Sequence, residues 1–425
     1  MTRTSRTTRA WLAGELAQWR AEGLVDERAA QELTRRYGLA ADATSRALAV
    51  VYIVASVLIG GGVLSFVAWN WEHLPSVAKL GLGGAALVSA YSGGYWLAEI
   101  GGRRPLLGRA LVFLGSLLFG ANIGIVGQVF QLDGEFWGAA GLWGAGAALA
   151  AWCLRAPVDG FLATVLGCVW SIGRMEGGGA AWAPLVPAVV LVPLAFHLRA
   201  PLLFGAVAVS TSCTLAAAAV EEEAALFFTS AFASAGLFAA LAVALPARLE
   251  RFAVVARRLA TVVTVVLAYA LSFHELSALG RARWVATAWL PAILPQLLGI
   301  ATCLGFAGRA GLARMPRETA IVLGAAGLLA AALFLPEPEV PLAVLANLTL
   351  AAIAAEGVRS SVHDLVRGRF WTSVALLLTV IVTRFVEFET GLLVKALVFT
   401  LCGAAVLAFG LAFERRATAR RAGHA

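Results

Sequence analysis

An all-α bundle that crosses the bilayer many times is the fold class this sequence predicts, and three observations predict it. The 425 residues are 60% hydrophobic and 14% charged, with a mean hydropathy of +0.83. Soluble domains run at about 45–50% apolar and about 25% charged. Apolar runs close to the ~20 residues that match a ~30 Å hydrocarbon layer recur from one end of the chain to the other. The basic residues between these runs fall on alternate sides, as membrane insertion requires.

Residues 1–45 are polar and read as a short cytosolic helical hairpin. Leu12, Leu16 and Trp19 recur on one helical face, and Gly23 breaks that helix. Asp26 is placed to cap a second helix, with Ala30, Leu33 and Tyr37 on one side and Gly38 as its stop. The basic opening meets no apolar core before the first span, so it does not read as an export signal.

Residues 46–413 then read as a transmembrane bundle of about fourteen helices. The apolar runs are 47–69, 77–98, 107–129, 136–154, 157–173, 181–197, 201–220, 224–245, 258–274, 285–306, 319–335, 340–357, 370–388 and 392–413. Residues 414–425 form a basic tail. Of the 33 Lys and Arg, all except Lys79, Arg174, Arg281, Arg283, Arg384 and Lys395 lie in the N-terminal segment, beside the even-numbered loops or in the tail. That asymmetry expects a bacterial cytoplasmic (inner) membrane protein with both termini cytoplasmic. It also accounts for the net charge of +8 without nucleic acid. The expected partners are the lipid bilayer and either another membrane protein or a second copy of the chain.

The five cysteines all lie in apolar runs with no CxxC pair, a pattern that supports neither a disulfide frame nor a zinc site. No HExxH, phosphate-binding loop or GxSxG elbow is present, and the five histidines are scattered. No catalytic, cofactor or metal residue is therefore assigned.

What stands out is polar chemistry where apolar residues belong. "LLFGANIGIVGQVFQLDGEFWG" (Leu117–Gly138) closes the third span. At about 100° per residue, Gly120, Gly124, Gly127, Gln128 and Gln131 share one arc, with Asn122 nearly opposite. A glycine face admits a neighbouring backbone, and amides on it can bond across. The reading is either packing or the lining of a polar cavity. Asp133 follows at the outer interface. The end of the first span, "FVAWNWEHLPSVAKL" (Phe66–Leu80), sets Asn70 between two tryptophans of an interface belt, then Glu72 and His73. Histidine titrates near neutral pH, so this pair is either a solvated turn or proton-responsive. Arg384 lies inside the thirteenth span with Glu387 at i+3, either snorkelling outward or functional. Asn70, Glu72, His73, Gln128, Gln131, Asp133, Arg384 and Glu387 form a candidate polar cluster of the outer half. Asn347, Glu99 and Glu356 read as structural.

Several of these stretches resemble one family. "LAQWRAEGLVDERAAQELTRRYG" (Leu16–Gly38) is similar to the opening module of the bacterial domain of unknown function 2157. "GGGVLSFVAWNWEHLPSVAKL" (Gly60–Leu80) resembles its first span, and "GANIGIVGQVFQLDGE" (Gly120–Glu135) its next marker, here with Asp133 before Gly134. "RFVEFETGLLVKALVFTLCGAAVLAFGLAFERR" (Arg384–Arg416) looks like its final hairpin. The resemblance implies a multi-pass membrane protein with a short cytosolic helical head, and brings no reaction, substrate or catalytic residue.

Three functional readings stay open. The first is a non-enzymatic membrane protein acting in assembly, sensing or envelope maintenance. The second is a small-molecule or ion transporter with an outer-half polar cavity. The third is an intramembrane enzyme on a lipid-linked substrate.

Overall fold

The structure is a computed structural model. It describes residues 24–37, 75–100, 105–177, 182–220, 224–273, 286–364 and 366–387, with single positions within 12–20 and 51–65 and at 410.

In the head, Leu12, Glu15, Leu16, Trp19 and Arg20 are helical, and the Leu24 N–H donates to the Trp19 carbonyl at 2.9 Å. Asp26 then caps α1 (Glu27–Tyr37). Its Oδ1 accepts from the Ala29 N–H at 2.7 Å, satisfying a helix-end donor that has no partner within the helix. Leu16 and Ala30 are buried, and Arg20 pairs with Glu27 at 2.6 Å.

The remaining helices lie where the apolar runs put them. Prolines begin many of them. Pro105, Pro157 and Pro201 occupy first helical positions, where the missing N–H would have had no partner. Three helices end on a residue that is left-handed without being glycine: Gln131, Arg155 and Arg199. After Gln131, the Leu132 N–H reaches back to the Gly127 carbonyl at 2.9 Å, and after Arg199 the Ala200 N–H reaches the Ala195 carbonyl at 2.9 Å.

The chain divides into two compact units, Met1–Leu166 and Gly167–Ala425. The first holds α2 (Ser76–Tyr95, extended by a π turn Trp96–Ile100), α3 (Pro105–Val129), α4 (Phe136–Leu154) and the start of α5 (Pro157–Glu176). α2 and α3 are antiparallel and very close. A Cβ on Gly94 would sit 2.8 Å from the Val112 nitrogen, and one on Gly108 2.5 Å from the Ala98 nitrogen. Both clashes are with backbone, so only glycine fits this crossing.

The second unit holds the rest of α5, then α6 (Leu185–His197), α7 (Pro201–Val220), α8 (Ala224–Ala244), α9 (Glu250–Leu271), α10 (Ala286–Ala313), α11 (Arg317–Ala332), α12 (Glu339–Asp364) and α13 (Arg367–Glu387). Its axis is α8, which packs on α7, α9, α10 and α11. Of its span, 72% is buried, against 33–39% in the other helices of that class. Ala225, Ala235, Ala239 and Ala240 are fully buried, the small residues that let helices approach in lipid. Phe232, Leu271, Leu329, Leu342 and Leu350 fill the core around it.

Two expected boundaries move. The ninth run, read from 258, is a helix from Glu250, and the twelfth continues past 357 to Asp364. Apolar runs mark the lipid-matched part of a helix, whereas the backbone ladder continues through polar turns. There Arg257 pairs with Glu250 at 3.3 Å and Arg359 with Glu356 at 2.6 Å. Among the described residues six helices are long and apolar enough to cross a bilayer. This is a multi-pass membrane protein. The expected first and last spans, 47–69 and 392–413, lie largely outside the described residues.

Candidate functional site

A buried polar network ties the helices of the first unit together. Asp159 is the third residue of α5, and it is completely buried. Its Oδ1 accepts a hydrogen bond from the Ser116 hydroxyl of α3, itself completely buried. Ser116 Oγ lies 3.0 Å from the Tyr91 hydroxyl of α2. A serine has one proton to give, and it goes to the carboxyl, so Tyr91 donates to Ser116 and the relay runs from Tyr91 through Ser116 to Asp159. The Trp143 indole N–H of α4 donates to the Ser116 carbonyl at 2.7 Å. Asp159 Oδ2 is buried and has no hydrogen-bond partner among the described residues.

The local sequence makes room for this arrangement. In "GSLLFG" (Gly115–Gly120), Gly115 leaves space for the Tyr91 ring: an added Cβ would lie 3.0 Å from three ring atoms. Gly120 leaves space for Trp143, whose Cε2 would be 2.2 Å from an added Cβ. Ser116 lies near the middle of the 25-residue α3, about 16 Å from its Pro105 end at ~1.5 Å per residue. The carboxyl belongs to the first turn of α5 and is buried among apolar helices, where an ionisable group is costly and marks function.

The outer-half residues fare differently. Asn70, Glu72 and His73 lie outside the described residues. Gln128 and Gln131 are exposed at the exit of α3, and Asp133 is exposed just beyond it. Among the described residues, Gly124 and Gly127 have no neighbour within 4 Å of an added Cβ, and Gly120 is the glycine of this face that packs. The amide that bonds across helices is instead Asn122, on the opposite side. Its Nδ2 donates to the Gly83 carbonyl at 3.1 Å and to the Leu118 carbonyl at 2.7 Å, and its Oδ1 fills the space a Gly83 side chain would need. The reason is local: α2, with Gly83, lies on the Asn122 side of α3.

Arg384 closes the end of α9. Its guanidinium donates to the Ser272 carbonyl at 2.5 Å and to the Ser272 hydroxyl at 3.0 Å, and lies 4.4 Å from the centre of the Phe273 ring. A cation at a helix C-terminus also meets the negative end of its dipole. Glu387 ends α13, and its side chain is outside the described residues. Gln128, Gln131 and Asp133 belong to the first unit, Arg384 and Glu387 to the second. Asn347 bonds back to the Ala343 carbonyl of its own helix at 2.8 Å, a structural role as its sequence suggests.

The second unit contains a cavity of about 560 Å³ between α8, α10 and α11, lined by apolar groups such as Phe232, Ile293, Leu297, Leu323 and Phe334. Its one hydroxyl, from Thr229, is taken by the Ala225 carbonyl of its own helix at 2.8 Å. Titratable chemistry is therefore carried by Asp159 and not by this cavity.

Residues 17–159 match the model of a family described as a predicted membrane protein, DUF2157. That region of the chain is similar to the DUF2157 family. It contains Tyr91, Ser116 and Trp143, and its last matched residue is Asp159, so the buried network falls within the matched range. No curated protein and no solved structure matches the chain.

Sequence reasoning passes over Asp159, which falls inside the expected run 157–173 with nothing in that run to point to Ser116. The one available signal is a lone acid just inside a proline-started helix.

Proposed function

We propose that the chain is a non-enzymatic sensor of the bacterial inner membrane, with fourteen spans, both termini cytoplasmic, and the 1–45 head and 414–425 tail on the cytoplasmic side. The observation that supports it best is the Tyr91–Ser116–Asp159 relay. One titratable carboxyl is built into the contact of tightly packed helices, so its charge state bears directly on their packing. A sensor needs such a two-state element, biased by a small change of charge. The positive-inside asymmetry supports the orientation.

The test is a strain deleted for this protein, grown across external pH and sodium concentration and complemented with wild type or Asp159→Asn. The sensing reading expects wild type alone to restore the response, at equal membrane levels of both proteins. Equal complementation by both refutes it. A reporter fused after Ala425 checks the cytoplasmic C-terminus.

The burial of the carboxyl supports a second reading, ion-coupled transport, since ionisable groups enclosed within membrane bundles line ion pathways. Proteoliposomes with an internal pH dye separate the two. Flux that Asp159→Asn abolishes speaks for transport, and a tight vesicle speaks for sensing.

A further inference from the structure

We infer that the open oxygen of Asp159 is the binding point for a monovalent cation, a proton or a bare sodium ion. The inference deepens the sensing reading and rests on it only for its biological use.

The argument is an accounting of partners. Oδ1 is taken by Ser116, whose single proton is spent on that bond. The Ser116 oxygen accepts from Tyr91, and the Ser116 carbonyl, within the α3 ladder, accepts from Trp143. Oδ2 alone has no donor among the described residues. An unpaired carboxylate oxygen in an apolar surround is costly, and protonation or a bound cation relieves it by removing the charge.

The surroundings narrow what that partner is. Asp159 and Ser116 are both at 0% exposure, so an organic cation does not fit beside them. The titratable group facing the carboxyl from α2 is Tyr91. α3 and α4 present Ser116 and Trp143, which carry no charge, and Ala156, just before α5, and Gly160 and Ala163 within it are also buried. One carboxylate neutralises one positive charge. A divalent ion would call for six or more oxygen ligands, mostly charged, and the site does not supply them. An anion or a hydrogen-bond acceptor would be repelled.

In the proton case the Oδ2–H bond forms with a proton from water and breaks by returning it. In the sodium case the ion displaces that proton, with hydroxyl and carboxyl oxygens as ligands. Loading either cation neutralises the carboxylate beside Ser116, and exchanging one for the other leaves that charge unchanged.

The experiment is infrared difference spectroscopy on the purified full-length protein in lipid nanodiscs. It follows the carboxylic-acid carbonyl band through a pH titration, with and without sodium chloride, choline chloride serving as the ionic-strength control. The expected result is a titrating band that Asp159→Asn removes and that Ser116→Ala shifts in midpoint by withdrawing the Oδ1 donor. Loss of the band on adding sodium at constant pH assigns sodium, and indifference to sodium assigns the proton. Should Asp159→Asn fail to elute as a folded species, the Ser116→Ala shift decides alone. No titrating band, or one that neither variant alters, overturns the inference. An Asp159 band accompanied by unchanged growth in the complementation assay leaves the site standing and removes the sensing reading.

Discussion

Gly108→Ala adds one methyl group to α3, and the geometry fixes where it goes. The new Cβ would fall 2.5 Å from the Ala98 nitrogen, 2.7 Å from the Gly94 carbonyl oxygen and 2.8 Å from the Ala98 Cα. Relaxed contacts between such atoms settle near 3.5–4.0 Å, so the strands of backbone must part by about 1 Å. None of the three atoms can swing aside, because all belong to main chain. Overpacking of this kind costs about 1–3 kcal/mol. Gly124→Ala, on the same helix, meets nothing within 4 Å and gains the helix preference of alanine over glycine, up to about 1 kcal/mol. The two substitutions, chemically identical and about four turns apart, should therefore differ by about 1–4 kcal/mol. Thermal unfolding of both variants in one detergent, followed by circular dichroism, reads the difference. Gly108→Ala is expected to melt below wild type and Gly124→Ala at or above it. Equal midpoints, or the reverse order, would refute the α2–α3 crossing and with it the placement of Tyr91 beside Ser116.

Other perturbations test the remaining supports. Asn122→Leu removes the bond to the Gly83 carbonyl and should cost about 0.6 kcal/mol and at most about 1.7, the mean and upper end for hydrogen bonds between membrane helices; a variant as stable as wild type in a denaturant titration would count against the lock. Arg384→Ala strips the end of α9 of its cation and should cost about 1.5–3 kcal/mol, with Arg384→Lys recovering only part because an ammonium cannot reproduce the fork; full recovery by lysine in the same unfolding assay argues against the paired contact. Gly308, inside α10, adopts φ 58 and ψ −176, open to glycine alone, so Gly308→Ala should cost about 1–3 kcal/mol and show as a lower melting midpoint. Asp26→Ala should cost the head about 0.5–2 kcal/mol through its lost cap, visible as faster proteolysis between the head and the first span.

The sequence carries the fold well where one residue decides one thing. Proline at a first helical position, Asp26 before a periodic run, and apolar stretches of bilayer length each act locally, and the helices follow them closely. The candidate site was much less legible. Asn122 and Gln128 are both amides on α3, and nothing local says that α2 lies on the side of one and not the other. Ser116 and Asp159 are 43 positions apart and meet only once α3 and α5 have packed. Arg384 is a similar case: its partner, Ser272, belongs to another helix 112 positions away, so spacing within its own span points to Glu387 instead.

The central place of α8 has a consequence for how the protein is made. The helix is apolar enough to enter the bilayer as soon as it leaves the ribosome, at a hydropathy of 1.9. Yet α9, α10 and α11, three of the four neighbours that enclose it, come later in the chain. At roughly 5–20 residues per second, the wait for α11 lasts several seconds. Through that interval Ser230, Ser234 and Thr229, all buried in the finished protein, must face lipid or an attendant of the insertion machinery. Biogenesis thus has a vulnerable window whose length is set by the order of the helices along the chain.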